Sequence, residues 1–124
     1  MDKRIFITGG VFSLLSVLIG AFGAHALTDI LSANDRLATF DTAVKYQMFH
    51  ALGLLIIGTL QTKKPSKLFA YSALSISIGI ILFSGSLYIL SIFNLLFLGA
   101  VTPIGGLFFL IGWILFILSQ FKKD

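Results

Sequence analysis

Apolar residues run along this chain in long blocks rather than alternating with polar ones. From Ile5 to Leu27 the only ionisable residue is His25, and from Leu68 to Phe121 there is no Lys, Arg, Asp, Glu or His. A helix that crosses a bilayer needs about 20 apolar residues, so the first block provides one span and the second has room for two. The segment between them is less apolar. Its Leu37, Phe40, Val44 and Met48 recur at helical spacing, with Asn34 and Asp35 placed to cap the start. At 1.5 Å per residue this helix would be ~42 Å long against a ~30 Å hydrocarbon core, so its first two turns lie at or beyond the interface. Pro65, after Lys63 and Lys64, ends it because proline cannot continue a helix. The pattern predicts four helices over about 4–27, 35–62, 67–92 and 99–121. This is an all-α, four-helix transmembrane bundle forming one integral membrane domain over 1–124.

Composition agrees and excludes other classes. The chain is 57% hydrophobic and 11% charged, whereas a soluble domain carries about 25% charged residues. Soluble enzyme folds, disordered tails and nucleic-acid modules are excluded. Cysteine is absent, and with it disulfides, thiolate metal sites and cysteine nucleophiles. Glutamate is absent too; the acids are Asp2, Asp29, Asp35, Asp41 and Asp124. The net charge of +4 therefore reads as a topology signal. Under four spans Lys3, Arg4, Lys63, Lys64, Lys67, Lys122 and Lys123 share one side, and only Arg36 and Lys45 fall on the other. That bias puts both termini in the cytoplasm, N-in and C-in, in the plasma membrane, and argues against dual-topology insertion. Ala24-His25-Ala26 after a basic start has the form of a signal-peptidase site. The apolar stretch before it exceeds the usual length of about 7–15 residues, so it is read as a span.

Small residues sit at helix-contact spacing: Ser16, Gly20 and Ala24 in the first span, Ser75 and Gly79 in the third, Gly105, Phe109 and Gly112 in the fourth. They read as close intramolecular packing, which in lipid replaces the hydrophobic effect as the driving force. Trp113 falls well inside the fourth span, away from the position of an interfacial anchor. Polar residues concentrate at one depth. Counted at 1.5 Å per residue from the cytoplasmic edge, His25 stands ~31 Å up, Lys45 and Tyr46 ~22–24 Å, Ser84 to Tyr88 ~25–31 Å, and Thr102 with Pro103 ~27–29 Å. His50 alone is deeper, ~17 Å up and near the midplane. Thr42, Tyr46, His50, Gly53 and Ile57 share one face of the second helix, polar above and apolar below, like the wall of a cavity that narrows inward.

This layout limits each candidate chemistry. A midplane histidine faces protein or water rather than lipid. His50 is either a functional group or a neutral ring bonded to a serine or a carbonyl across the bundle, with Ser13, Ser16 and Ser77 at suitable depth. His25 and His50 are separated by ~15 Å of depth, too far to share a metal ion. No metal or cofactor is expected. Asp41 and Lys45 form an i,i+4 pair in the favourable order, which neutralises itself. Ser84 or Ser86 with His25 and Asp29 matches a hydrolytic triad in residue types only, without a nucleophile elbow. Proton-coupled antiport lacks a buried carboxylate. Thr102 as N-cap and Pro103 at the first helical position would turn the free N–H groups of the fourth helix outward.

Several segments are recognisable together: Gly20-Ala-Phe-Gly-Ala-His25, Thr42-Ala-Val-Lys-Tyr-Gln-Met-Phe-His50, Phe83-Ser-Gly-Ser-Leu-Tyr88, Thr102-Pro-Ile-Gly-Gly106 and Gly112-Trp113. They resemble the family known as domain of unknown function 423, small bacterial membrane proteins of the YgdD/YwdK type with a distant eukaryotic relative in transmembrane protein 256. The resemblance covers essentially the whole chain. It carries over Gly20, Phe22, Gly23, His25, Tyr46, Gln47, His50, Ser84, Gly85, Ser86, Tyr88, Thr102, Pro103, Gly105 and Gly106. It implies a four-helix plasma-membrane protein and no particular activity.

Beside the resemblance, the shared depth of His25, Tyr46, Ser84, Ser86, Tyr88 and Thr102, with His50 below them, points to a non-enzymatic module. Its outward-facing polar vestibule would bind a small solute, a lipid head group or a partner protein. A channel or transporter lined by Thr42, Tyr46 and His50 is the alternative, and a structural subunit of a membrane complex is a third. Gly20, Gly23, Gly85, Pro103, Gly105 and Gly106 are expected to shape the backbone around the site. No catalytic set is visible. The expected partners are the bilayer, a small-molecule or lipid ligand, and a second copy or another membrane protein, with no nucleic acid.

Overall fold

The computed structural model describes residues 3–122. Asp2, Lys123 and Asp124 of the charge pattern, and the side chain of Ala24 from the first small-residue row, lie outside the described residues. Helix α1 (Arg4–His25) is followed by the short α2 (Thr28–Ala33) and the long α3 (Leu37–Lys63). Helix α4 (Lys67–Gly79) passes through a π-helical turn (Ile80–Ser84) into α5 (Gly85–Phe93). A 3-10 turn (Leu96–Ala100) then leads into α6 (Thr102–Phe121). Four stretches are long and apolar enough to cross a membrane: Arg4–Gly23, Leu37–Lys63, Lys67–Phe93 and Leu96–Phe121. The protein is an all-helical membrane bundle.

Differences from the sequence expectation cluster at the helix ends. The first helix stops at His25 rather than 27, and Thr28 opens a separate short helix that buries Leu31. Asn34 does not cap α3. Its amide donates to the carbonyls of Ser91 (3.0 Å) and Ile92 (3.1 Å), closing the end of α5, while Asp35 takes a left-handed φ of 56° and Arg36 becomes the residue before α3. Thr102 is likewise no N-cap. It is the first helical residue of α6, and the N–H groups of Ile104 and Gly105 donate to the Val101 carbonyl at 3.0 and 3.3 Å. The carbonyl of Val101, the residue between the 3-10 turn and α6, therefore accepts from both N–H groups, and neither is free.

The spans pack in series rather than in a closed ring. Helix α1 lies on α3, α3 on α4 and α5, and α4 on α6. The two flanking spans keep most of their surface outside the protein: 11% of the α1 stretch and 17% of the α6 stretch is buried, against 50% for α3. The predicted small residues make these contacts. Gly20 packs on Val44, and Gly79 and Gly112 admit Phe109 and Ile76. Ser72 Oγ and Ser75 Oγ donate to the carbonyls of Gly112 and Phe108 at 2.7 Å each, tying α4 to α6. At Gly105 a Cβ would lie 2.8 Å from Phe83 Cα, so α6 touches the backbone of the π turn itself. The core consists of Leu54, Ile57, Phe69, Ala73, Ile76, Ile80 and Phe109.

A candidate functional site between the second and fourth spans

Helix α4 and the π turn that follows it pack on both α3 and α6, and a groove of about 840 Å³ remains between those two. Its floor is His50, which is 4% exposed. Trp113 Nε1–H donates to His50 Nε2 at 3.0 Å, and His50 Nδ1 lies 2.7 Å from the Tyr46 carbonyl. An indole N–H can only donate, so Nε2 is the acceptor and Nδ1 carries the proton that reaches Tyr46. The imidazole stacks on Phe109 with ring centroids 3.6 Å apart and planes 12° from parallel. Both nitrogens are thus used within the protein, and His50 joins α3 to α6 as a fixed neutral bracket.

Below His50 the groove closes. A Cβ at Gly53 would lie 3.0 Å from the Trp113 ring, and Leu54 and Ile57 beyond it are fully buried. The Thr42–Tyr46–His50 face therefore ends in packed side chains. Above His50, the Tyr46 ring rests on Phe83 at 4.6 Å, and its hydroxyl has no hydrogen-bond partner among the described residues. The rims are Phe49, Leu107 and Leu110, which are 55–63% exposed at mid-helix, so the groove opens sideways on the flank of the bundle. At its outer end Lys45 pairs with Asp41 at 2.8 Å, both well exposed. Such a pair holds its charges only weakly together. Pro103 and Gly106 line the α6 wall.

The other predicted site residues do not join this groove. The Tyr88 hydroxyl donates to Gln47 Oε1 at 2.5 Å, and Gln47 Nε2 donates to the Phe12 carbonyl at 2.9 Å, linking α5, α3 and α1. Ser84 Oγ donates to the Ala43 carbonyl at 2.8 Å. Ser86 and Thr102 share a hydrogen bond of 2.6 Å between α5 and α6. His25 is exposed at the end of α1 and bonds to none of these. Around Gly85 a Cβ would meet nothing within 4 Å. The expected single vestibule is thus divided: Tyr46 and His50 line the groove, Ser84, Ser86, Tyr88 and Thr102 bond between helices, and His25 stands apart.

Trp113, Phe109 and Phe83 carry much of this arrangement and were not among the predicted site residues, whereas Gln47 was singled out only through the family resemblance. A signal for Trp113 existed. Its depth is ~12 Å by the same count that puts His50 at ~17 Å, and a donor-only group inside a span requires an acceptor. Among the described residues no three of His, Cys, Asp and Glu converge to hold a metal ion.

The family model described as a protein of unknown function (DUF423) matches residues 19–106. The chain belongs to this family. A UPF0382 membrane protein of Staphylococcus haemolyticus is 42% identical over 120 residues, covering 97% of each chain. YwdK of Bacillus subtilis, also a UPF0382 membrane protein, is 41% identical over 121 residues, 97% of this chain and 98% of its own. The UPF0382 inner membrane protein YgdD of Escherichia coli K12 is 34% identical over 121 residues, 98% of this chain and 92% of its own. No solved structure matches. The family segment includes Gln47, His50, Tyr88 and Thr102, and it ends at Gly106 on the groove wall.

Proposed function

We propose that this family member is a non-enzymatic membrane module that seats the apolar part of a bilayer lipid in the groove between α3 and α6. The lipid's polar group lies at the level of Tyr46 and Lys45. The observation that carries this reading is the sideways mouth of the groove, with Phe49, Leu107 and Leu110 exposed at its rim where the spans meet lipid. Aromatic walls suit an acyl or isoprenoid chain, and the few polar atoms sit at one end, as amphiphile sites require. A water-soluble solute finds little to bind, because both His50 nitrogens are already bonded. A path across the membrane along the Thr42–Tyr46–His50 face has less support, since Trp113 and Ile57 block its lower half.

Trp113 is the only tryptophan of the chain and lines the groove, so it reports occupancy directly. Phospholipids brominated along the acyl chain are expected to quench its fluorescence strongly in reconstituted vesicles. Gly106→Leu should fill the groove with little disturbance, because a Cβ there meets Phe83 only at 3.9–4.0 Å. Its quenching should fall to the level given by surrounding lipid alone. Equal quenching of both proteins would sink the proposal, and solute flux above that of empty vesicles would replace it with transport.

A further inference from the structure

Six of the side chains that line the groove between α3 and α6 are rings: Tyr46, Phe49, His50, Phe83, Phe109 and Trp113. Three of these share an orientation. The planes of His50 and Phe109 lie 12° apart, those of Tyr46 and His50 15°, and those of Tyr46 and Phe109 24°. His50 and Phe109 stack directly at 3.6 Å, while Tyr46 stands beside them with centroids 6.1 and 6.2 Å away. Offset stacking favours a further flat ring brought against such a group, and an acyl chain has no plane to match it. Tyr46 keeps 45% of its surface exposed, so a ligand in the groove reaches it.

Charge narrows the head group. Lys45 is the one charged residue among those lining the groove, and Asp41 lies 2.8 Å from its ammonium. An anion drawn to Lys45 is therefore also repelled by Asp41, and an uncharged head group avoids that opposition. Hydrogen bonding narrows it again. His50 uses both ring nitrogens, and the Tyr46 carbonyl is taken by one of them. The Tyr46 hydroxyl, which has no partner among the described residues, is left as a free O–H donor. A group that only accepts, such as a carbonyl oxygen, complements it.

We infer that the groove holds an uncharged prenylated quinone. A ring carbonyl accepts from Tyr46, the ring lies against the aligned aromatics, and the tail runs past Phe49 and Leu110 toward Trp113. The groove's volume of about 840 Å³ falls in the range of about 300–1,000 Å³ that encloses one small molecule. A prenylated quinone is one kind of the bilayer lipid proposed above, so its place rests on that reading of the groove.

The test uses the full chain purified in mild detergent and incubated with equal amounts of three probes. These are a menaquinone with a geranylgeranyl tail, geranylgeraniol and geranylgeranyl phosphate, which share the tail and differ in the head. Ligand retained through gel filtration is extracted and measured, with circular dichroism as the check on folding. The parent should retain the quinone about tenfold above the other two. Tyr46→Phe removes an atom that the fold does not use, and should lower quinone retention about fivefold, toward that of the alcohol. Gly106→Leu should lower retention of all three. Equal retention of the three heads by the parent, lost together in Gly106→Leu, would overturn the quinone and leave the lipid seat standing. Preference for the phosphate would overturn it in favour of an anionic head. Undiminished quinone retention in Tyr46→Phe would overturn the assigned carbonyl contact, and with it the pose. Undiminished retention in Gly106→Leu would put the ligand outside the groove and overturn both readings.

Discussion

At the scale of single residues, the decisive group is the pair formed by His50 and Trp113. Trp113 donates to a ring nitrogen that faces no water, so losing the donor leaves a buried acceptor unmet. Trp113→Phe should lower stability by about 1 kcal/mol, in line with interhelical bonds in membranes. Adding His50→Phe should recover part of that loss, because the unmet nitrogen disappears with the imidazole. Unfolding in detergent measures both, and a single variant as stable as the parent would mean the bond contributes nothing. The mid-span place of His50 was readable from sequence, but depth gave only a hint of Trp113 as its partner, since counting along a helix gives height and no direction around the axis. Tyr88 illustrates the limit in the other sense. The count puts it ~10 Å above Gln47, yet the two are bonded. Side chains on a helix lean toward its N-terminus, so the phenol of α5 hangs down toward Gln47, and the π turn below it shortens the rise.

At the scale of elements, the four spans were legible because they depend on length and apolarity, which the sequence states outright. Their ends and interruptions were not. The π turn at Ile80–Ser84 has no local signature, and its surroundings account for it: the backbone of α6 at Gly105 presses on Leu82 and Phe83, and Ser84 is turned to the Ala43 carbonyl of α3. Asn34 was read as a cap for the helix that follows it, and the partner it found lies 57 residues away. Two glycines separate close approach from tolerance. Gly105→Ala forces Cβ into backbone that cannot yield as a side chain would, and should cost about 1–3 kcal/mol with a partial opening of α6 from the π turn. Gly85→Ala meets open space and should stabilise by about 0.5–1 kcal/mol, as alanine does in a helix interior. Thermal unfolding of the two variants side by side tests the contrast, and equal effects would contradict it.

At the scale of the whole molecule, charge and packing divide the protein along different axes. Across the bundle, α3 and the α4–α5 span form the buried centre, and α1 and α6 face lipid on either flank. Along it, the described bases Lys3, Arg4, Lys63, Lys64, Lys67 and Lys122 gather at one end, while Asp29, Asp35 and Asp41 lie at the other with Arg36 and Lys45. The basic end resists translocation, so insertion should leave it in the cytoplasm with both termini. The absence of cysteine makes this directly measurable with single introduced thiols. Asp29→Cys and Gln120→Cys both alter exposed positions, one at each end. A membrane-impermeant maleimide should label the first in intact cells and the second only after permeabilisation. The reverse pattern would invert the molecule. Labelling of both in intact cells would indicate two orientations, which so uneven a distribution of lysine and arginine should prevent.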